Sequence, residues 1–456
     1  MVGCGPKGRP EGAGGANGGG PAPVGQPGGA VAGDPAGSPS PGGTDAGSTG
    51  SDSLGADSPG QNDPAGSPGT ATGSAAAIGS AGQAARFDPE HPPRAIWIVR
   101  SDLTDQRRLA TAIDWAADTG FTDLFLQVRG RGDAYYRSAI VPRAEPLGGG
   151  DWDPLGEALP AARARGLRVH AWVNVGIAWS GETRPRVPEH VARQHRDWFV
   201  WIANRGRPPR NMLEIPSKEL LRRDIEGYFL NAAHPEVGPH LEAVVRELVA
   251  TYDLDGIHFD YVRFPRRVRS LDPLSRTSFG AAGGVDPLTL VDPKSARTRY
   301  GAAEAERLSA LWQAWSEEQV TGVVARLAGV AREVRPGIMV SAAVYPDPAT
   351  ARAELSQAWD LWLSERVIDV AVPMCYAADK KIARADLAVA RGATGGRLWA
   401  GLGVYNKPVG EAMAGAELAR ELGYEGVSIF SYGAAREAGP KASSVIAAAL
   451  AGFARP

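Results

Sequence analysis

From residue 94 onward, short apolar runs alternate with longer stretches in which apolar side chains recur every three or four positions. The short runs predict strands at Ala95–Arg100, Asp123–Arg129, Arg168–Val175, Gly256–Val262, Ile338–Val344, Asp369–Met374, Leu398–Val404 and Gly426–Ser431. Between them, Val237, Leu241, Val244, Val245, Leu248, Val249 and Tyr252 share one face of a 3.6-residue period, which predicts a helix over 237–252. Leu308, Leu311, Trp312, Trp315, Val320, Val323, Val324 and Leu327 predict another over 304–334. Gly166, Gly337 and Gly423 stand between a helical stretch and the strand after it, where a left-handed residue ends a helix.

Eight strand–helix units in one stretch predict an α/β fold, a (β/α)8 TIM barrel. A doubly wound sheet competes, but no G-x-G-x-x-G turn follows the first strand. The stretch exceeds the ~250 residues of a plain barrel. The surplus falls in long loops at 176–230 and 263–301, after strands 3 and 4. Loops that follow strands lie on the C-terminal face, where barrel enzymes build their sites. Loops of this length suggest the walls of a groove.

Composition divides the chain in two. Residues 1–80 hold 24 Gly and 11 Pro, and the first aromatic residue of the chain is Phe87. A segment so poor in apolar bulk cannot offset its ordering entropy. Residues 1–86 are therefore expected to be a disordered Gly/Pro/Ser-rich tether, and 87–456 the folded domain. The start, Met1-Val2-Gly3-Cys4-Gly5, carries neither a charged nor an apolar leader. Val2-Gly3-Cys4 before a Gly/Ser/Pro tract is nevertheless similar to the end of a bacterial lipoprotein signal. That reading makes Cys4 a lipid-bearing residue, places the domain at the cell envelope, and makes the tail a tether spanning roughly 50 Å. The alternative is an ordinary cysteine in an unstructured tail.

Charge narrows the chemistry only by exclusion. A formal net charge of −2 offers no basic field for nucleic acid. The seven His are scattered without an H-x-H or HExxH pair, so neither a dedicated metal site nor a cofactor is expected. The two cysteines, Cys4 and Cys375, cannot form a disulfide framework. No apolar run reaches the ~18 residues of a membrane-spanning helix, so membrane contact is expected only through Cys4. The chain is expected to be a monomer.

The strand ends carry the informative residues. Ser101-Asp102 follows strand 1, and strand 2 closes on Gln127-Val128-Arg129-Gly130-Arg131-Gly132-Asp133-Ala134-Tyr135-Tyr136. Strand 3 runs His170-Ala171-Trp172-Val173-Asn174, and strand 4 runs Asp255-Gly256-Ile257-His258-Phe259-Asp260-Tyr261. Strands 5 to 7 end near Asp347, Tyr376 and Tyr405. Aromatic faces beside polar groups suit sugar rings, which have apolar faces and polar edges.

These pieces, in this order, resemble the bacterial family-10-like glycosyl hydrolases, a (β/α)8 group related to peptidoglycan-active lipoproteins. The resemblance rests on Gln127-Val128-Arg129, Gly132-Asp133-Ala134-x-Tyr136, His170-Ala171-Trp172-Val173-Asn174 and Asp255 to Asp260. It implies a glycosidase acting on cell-envelope polysaccharide, with peptidoglycan glycan strands the implied substrate. One departure stands out: Tyr261-Val262-Arg263-Phe264-Pro265 follows Asp260 where many relatives carry a second Asp and an aromatic–Pro pair.

Glycoside hydrolysis uses a proton donor and a second carboxylate. No Glu ends any of the eight strands, so the expected groups are aspartates. Asp260 is the first candidate, with His258 at strand spacing i+2 on the same face to orient it. A structural ion pair of Asp260 with Arg263 or Arg129 is the alternative. Asp347 and Asp102 compete for the second role, and Asp347, between two prolines, also reads as a turn residue. A 2-acetamido group of the substrate acting as nucleophile is a further route.

Arg129 and Arg263 are candidates to hold a muramic carboxylate through their forks, with surface ion pairing the alternative. His170, Trp172, Asn174, Tyr376 and Tyr405, with Asp133, Tyr136 and Tyr261, complete the expected sugar-binding set. The missing strand-end Glu also supports a rival from another class: a catalytically silent barrel that binds glycan and scaffolds.

Overall fold

The computed structural model describes residues 91–204 and 206–454. The expected tether and Cys4 lie outside the described residues. Eight parallel strands form one sheet: β1 (Arg94–Ile98), β2 (Asp123–Arg129), β3 (Arg168–Asn174), β4 (Gly256–Asp260), β5 (Met339–Val344), β6 (Val370–Pro373), β7 (Trp399–Gly403) and β8 (Gly426–Phe430). Their order is β6-β5-β4-β3-β2-β1-β8-β7. Parallel bridges Ala371↔Leu398 and Met374↔Gly401 join β6 to β7 and close the barrel. This is the expected (β/α)8 barrel. Each strand sits within one or two residues of its expected bounds, because strands buried on both faces read as continuous apolar runs.

Helices cover the outside for the reasons the pattern gave. Gln106–Thr119 starts at Asp105, whose side chain accepts the Arg108 N–H, and stops at Gly120 with φ 93°. Val237–Thr251 buries Val237, Leu241, Val244, Val245, Leu248 and Val249, the face its periodicity defined. The helix Ala302–Val334 runs for 33 residues, and its first half packs Leu308, Trp312 and Trp315 on Phe279 and Leu290 of the strand-4 extension.

The strand-3 extension contains two antiparallel ribbons, one joining Ile177–Trp179 to Tyr228–Phe229 and one joining Trp201–Asn204 to Arg207–Asn211. Trp179 and Trp198 are buried within this extension. Among the described residues, no helix is long and apolar enough to cross a membrane.

The barrel interior is filled in layers. At the N-terminal end, fully buried Asp123 accepts both Arg168 Nε–H and Nη2–H at 2.7 Å and meets His170 Nε2 at 2.9 Å. Above it, the His258 ring stacks on Phe125 with centroids 4.0 Å apart, and Trp97 and Trp399 fill the same level. Trp172, Tyr376 and Phe430 cap this aromatic column at the C-terminal mouth.

Candidate active site

β4 delivers Asp260, half-buried, to that mouth. Its Oδ1 accepts the Tyr261 backbone N–H at 2.7 Å, and its Oδ2 accepts the Trp172 indole N–H at 3.2 Å. Tyr261 adopts a left-handed φ of 53°, a costly state for a non-glycine residue, and it turns the chain out of the sheet directly after the carboxylate. The turn is held from just past the end of neighbouring β3: Gly176 N–H donates to Tyr261 O at 3.0 Å. A Cβ at position 176 would lie 2.5 Å from that oxygen, so only glycine permits the approach. Burial pushes the Asp260 carboxyl up to about 6, against the opposing pull of the Tyr261 N–H, Arg263 and Trp172.

A second carboxylate arrives from the strand-3 extension. Glu226 Oε1 accepts Arg263 Nη2–H at 2.7 Å, and Glu226 Oε2 is buried without a hydrogen-bond partner. The Arg263 guanidinium lies over the Tyr261 ring at 4.9 Å and over Phe229 at 5.4 Å. Burial raises the Tyr261 phenol above its usual range, and the charges of Glu226 and Asp260 add to that rise. Both carboxylates and Arg263 therefore converge on Tyr261. A small pocket lined by Glu226, Arg263, Arg266, Tyr345, Gln357 and Met374 opens beside them.

One wall of the mouth is aromatic. Tyr376 stacks on Phe430 at 5.5 Å and meets Trp97 and Tyr405 edge-on at 6.3 and 6.0 Å, while Phe430 meets Trp172 at 6.4 Å. Another wall is polar. Arg100 Nη1–H donates to Gln127 Oε1 at 3.1 Å, Gln127 amide N–H to Asn174 Oδ1 at 3.5 Å, and Asn174 amide N–H to Gly130 O at 2.9 Å. The charge of Arg100 reaches the Tyr261 phenol. Among the described residues Arg100 has no ion pair.

The other sequence candidates fall elsewhere. His258 shares the Asp260 face but lies one layer deeper, since i and i+2 stand roughly 6.6 Å apart along a strand. Its Nε2 accepts the Trp97 indole N–H at 3.2 Å and its Nδ1 meets Ser341 Oγ at 2.9 Å, so neither nitrogen engages Asp260. Burial holds this imidazole well below its ordinary value, hence neutral. His170 lies at the opposite end of the barrel on Asp123, so its expected sugar contact is corrected to a structural bond.

Asp347 caps the helix Pro348–Leu355 by accepting the Ala349 and Thr350 N–H groups, the turn role foreseen as its alternative. Asp102 faces the outer helices. Burial raises it to about 6, and its charged neighbours are Arg108 and Glu437.

The carboxylate-binding roles of the two arginines also need correction. Arg129 would face the interior if β2 alternated regularly, but a register shift between Gln127 and Arg129 turns it outward. There it is fully buried, donates to Asn174 O, and neighbours Tyr136 and Asp133. Tyr136 meets Tyr252 edge-on at 5.9 Å beneath the helix Val237–Thr251. Asp133 Oδ1 accepts the Arg131 N–H in the loop after β2. The fork of Arg263 is occupied by Glu226.

Trp172, Asn174, Tyr261, Tyr376 and Tyr405 do gather around Asp260. Arg100, Gln127, Phe430 and Glu226 join them without having been singled out as site residues.

Asp197, His234 and Glu236, in the strand-3 extension, bring potential ligand atoms within 4.8 Å of one another. His234 Nδ1 accepts the Glu236 N–H, which leaves its proton on Nε2 facing Asp197, and Glu236 Oε2 already accepts the Trp198 indole N–H. These bonds favour a hydrogen-bonded cluster over a metal centre.

Residues 92–394 match the family described as Glycosyl hydrolase-like 10. Glycosyl hydrolase DigH of Escherichia coli K12 is 24% identical over 300 residues, which cover 59% of this chain and 58% of the relative. The chain thus spans little more than half the length of that curated relative. Glycosyl hydrolase YngK of Bacillus subtilis is 24% identical over 194 residues, 38% of this chain and 34% of that one. Among solved structures, the PgaB (BpsB) glycoside hydrolase domain of Bordetella bronchiseptica aligns with a TM-score of 0.56 at 15% identity, covering 78% of this chain and 98% of that domain. The catalytic domain of a β-amylase from Paenibacillus polymyxa aligns at 0.55 and 11% identity, covering 80% and 99%. Those two likenesses concern the fold. The family match extends over more than half of the chain, and the protein belongs to the glycosyl hydrolase-like 10 family.

Proposed function

We propose that this protein is a glycoside hydrolase that cleaves cell-envelope polysaccharide, with peptidoglycan glycan strands as substrate. The observation that carries the reading is Asp260, a carboxyl raised to about 6 at the open end of a barrel and flanked by an aromatic wall. A carboxyl in that range is protonated often enough near neutrality to give its proton to a departing glycosidic oxygen. Tyr376 and Phe430, both partly exposed, present ring faces and edges for sugar, and buried Trp172, Gln127 and Asn174 support the mouth from within. Arg100, a guanidinium without an acidic partner among the described residues, suits a carboxylate carried on the sugar. The family resemblance of the strand-end motifs supports the choice of peptidoglycan. We place the domain at the cell envelope, tethered through Cys4.

Product analysis on peptidoglycan glycans freed of stem peptides tests this reading, with wild type run beside Asp260→Asn. New reducing ends from wild type alone are expected. Binding without cleavage by either protein would favour a scaffold instead.

A further inference from the structure

We propose that Glu226 is the second catalytic carboxylate, the base that takes a proton from the attacking water. The assignment rests on the hydrolase reading above. Sequence reasoning looked for this group at strand ends and found only aspartates. Of those, Asp347 is spent on a helix cap and Asp102 faces the outer helices, so Glu226 is the carboxylate that shares the mouth with Asp260.

Its position is set by the backbone. Gly227 follows it, and a Cβ there would lie 2.4 Å from Trp179 O, so the chain is pressed against the facing ribbon strand at this point. Tyr228–Phe229 then pairs with Ile177–Trp179 and fixes the approach. The side chain is held as firmly: Arg263, itself stacked over Tyr261 and Phe229, takes Oε1. That grip leaves Oε2 buried and without a donor. A buried acceptor with no donor is costly, and a water O–H aimed at it supplies the missing bond. The pocket that Glu226 and Arg263 line with Tyr345 and Met374 gives such a water its place beside the mouth.

The step balances with water as co-reactant. Glu226 Oε2 accepts a proton from the water, whose oxygen forms a bond to the anomeric carbon. The bond from that carbon to the glycosidic oxygen breaks with its electron pair, and Asp260 gives the departing oxygen its proton. Glu226 ends protonated and Asp260 ionised, and exchange with solvent restores both. Attack by water on the face opposite the leaving group inverts the anomeric configuration.

The test uses the full chain on the same glycans. Glu226→Gln is expected to lower kcat about 100-fold or more with little change in KM, within the range a lost general base produces. Glu226→Ala with added azide is expected to regain turnover and yield a glycosyl azide of inverted configuration, visible by mass spectrometry and NMR. That product forms only when azide replaces the attacking water, so a residue that merely neutralised Arg263 would not give it. Circular dichroism of the isosteric Glu226→Gln separates a catalytic loss from misfolding.

Cleavage by wild type beside a fully active Glu226→Gln would overturn this assignment alone. Recovery of Glu226→Ala on removing Arg263 as well, with no azide product, would do the same. A wild type that leaves every glycan intact would overturn the hydrolase reading and this assignment together.

Discussion

At the scale of single residues, the site turns on how differently two carboxyl groups are surrounded. Asp260 receives only a backbone N–H and a long indole bond, so desolvation dominates and its proton is held to about 6. Glu226 faces a guanidinium at 2.7 Å. Arg100 offers a separate check, because it touches Gln127 and no acid among the described residues. Arg100→Ala is expected to raise KM for glycans bearing free carboxylates about tenfold while leaving kcat nearly unchanged. That change is worth roughly 1.4 kcal/mol, within the range of one charge-assisted contact. Steady-state kinetics on carboxylate-bearing and carboxylate-reduced glycans would show it, and equal KM changes on both would count against the role.

At the scale of elements, the strands were legible because burial on both faces writes them as apolar runs, and the helices because one face repeats every 3.6 residues. What lay in the mouth was less legible. Alternation along β3 correctly put His170, Trp172 and Asn174 on one face, but it carries no depth: His170 sits at the bottom of the barrel, and Trp172 and Asn174 reach the mouth. A single register shift in β2 reversed the facing of Arg129, and nothing in Gln127-Val128-Arg129 announces a bulge.

Glu226 was missed because it lies in a long extension whose register to the barrel no periodicity fixes. Its pairing with Arg263 is a contact between residues 37 apart. The contact between the β3 and β4 ends is equally tight. Gly176→Ala drives a methyl group into Tyr261 O, and the chain that carries the Tyr261 N–H must shift away from Asp260. Overpacking of this kind costs about 1–3 kcal/mol. Chemical denaturation should show that loss, and activity should fall by more than the loss of folded protein explains.

For the whole molecule, the buried Asp123 cluster and the proposed site occupy opposite ends of the barrel. Asp123, with Arg168 and His170, ties β2 to β3 at the N-terminal end, and its hydrogen bonds and ion pairs hold its carboxyl far below the ordinary range despite complete burial. A carboxyl depressed in the folded state contributes stability above its unfolded value of about 4 and loses it as pH falls below that. Asp123→Asn is therefore expected to cost about 3–5 kcal/mol at neutral pH. Thermal melts of the variant should also depend less on pH below about 4 than those of wild type. A neutral substitution there would mean that the closed barrel does not depend on this link.

The central claim is that Asp260 supplies the proton, and the most direct test is the pH dependence of kcat/KM for wild type beside Asp260→Asn. Since kcat/KM reports the free enzyme, the wild-type value should fall tenfold for each pH unit above about 6, where Asp260 loses its proton. Asp260→Asn, which carries no titrating group at that position, should be depressed at every pH without that limb. A wild-type profile that stays flat between about pH 5 and 8, or a variant that keeps the same limb, would contradict the account.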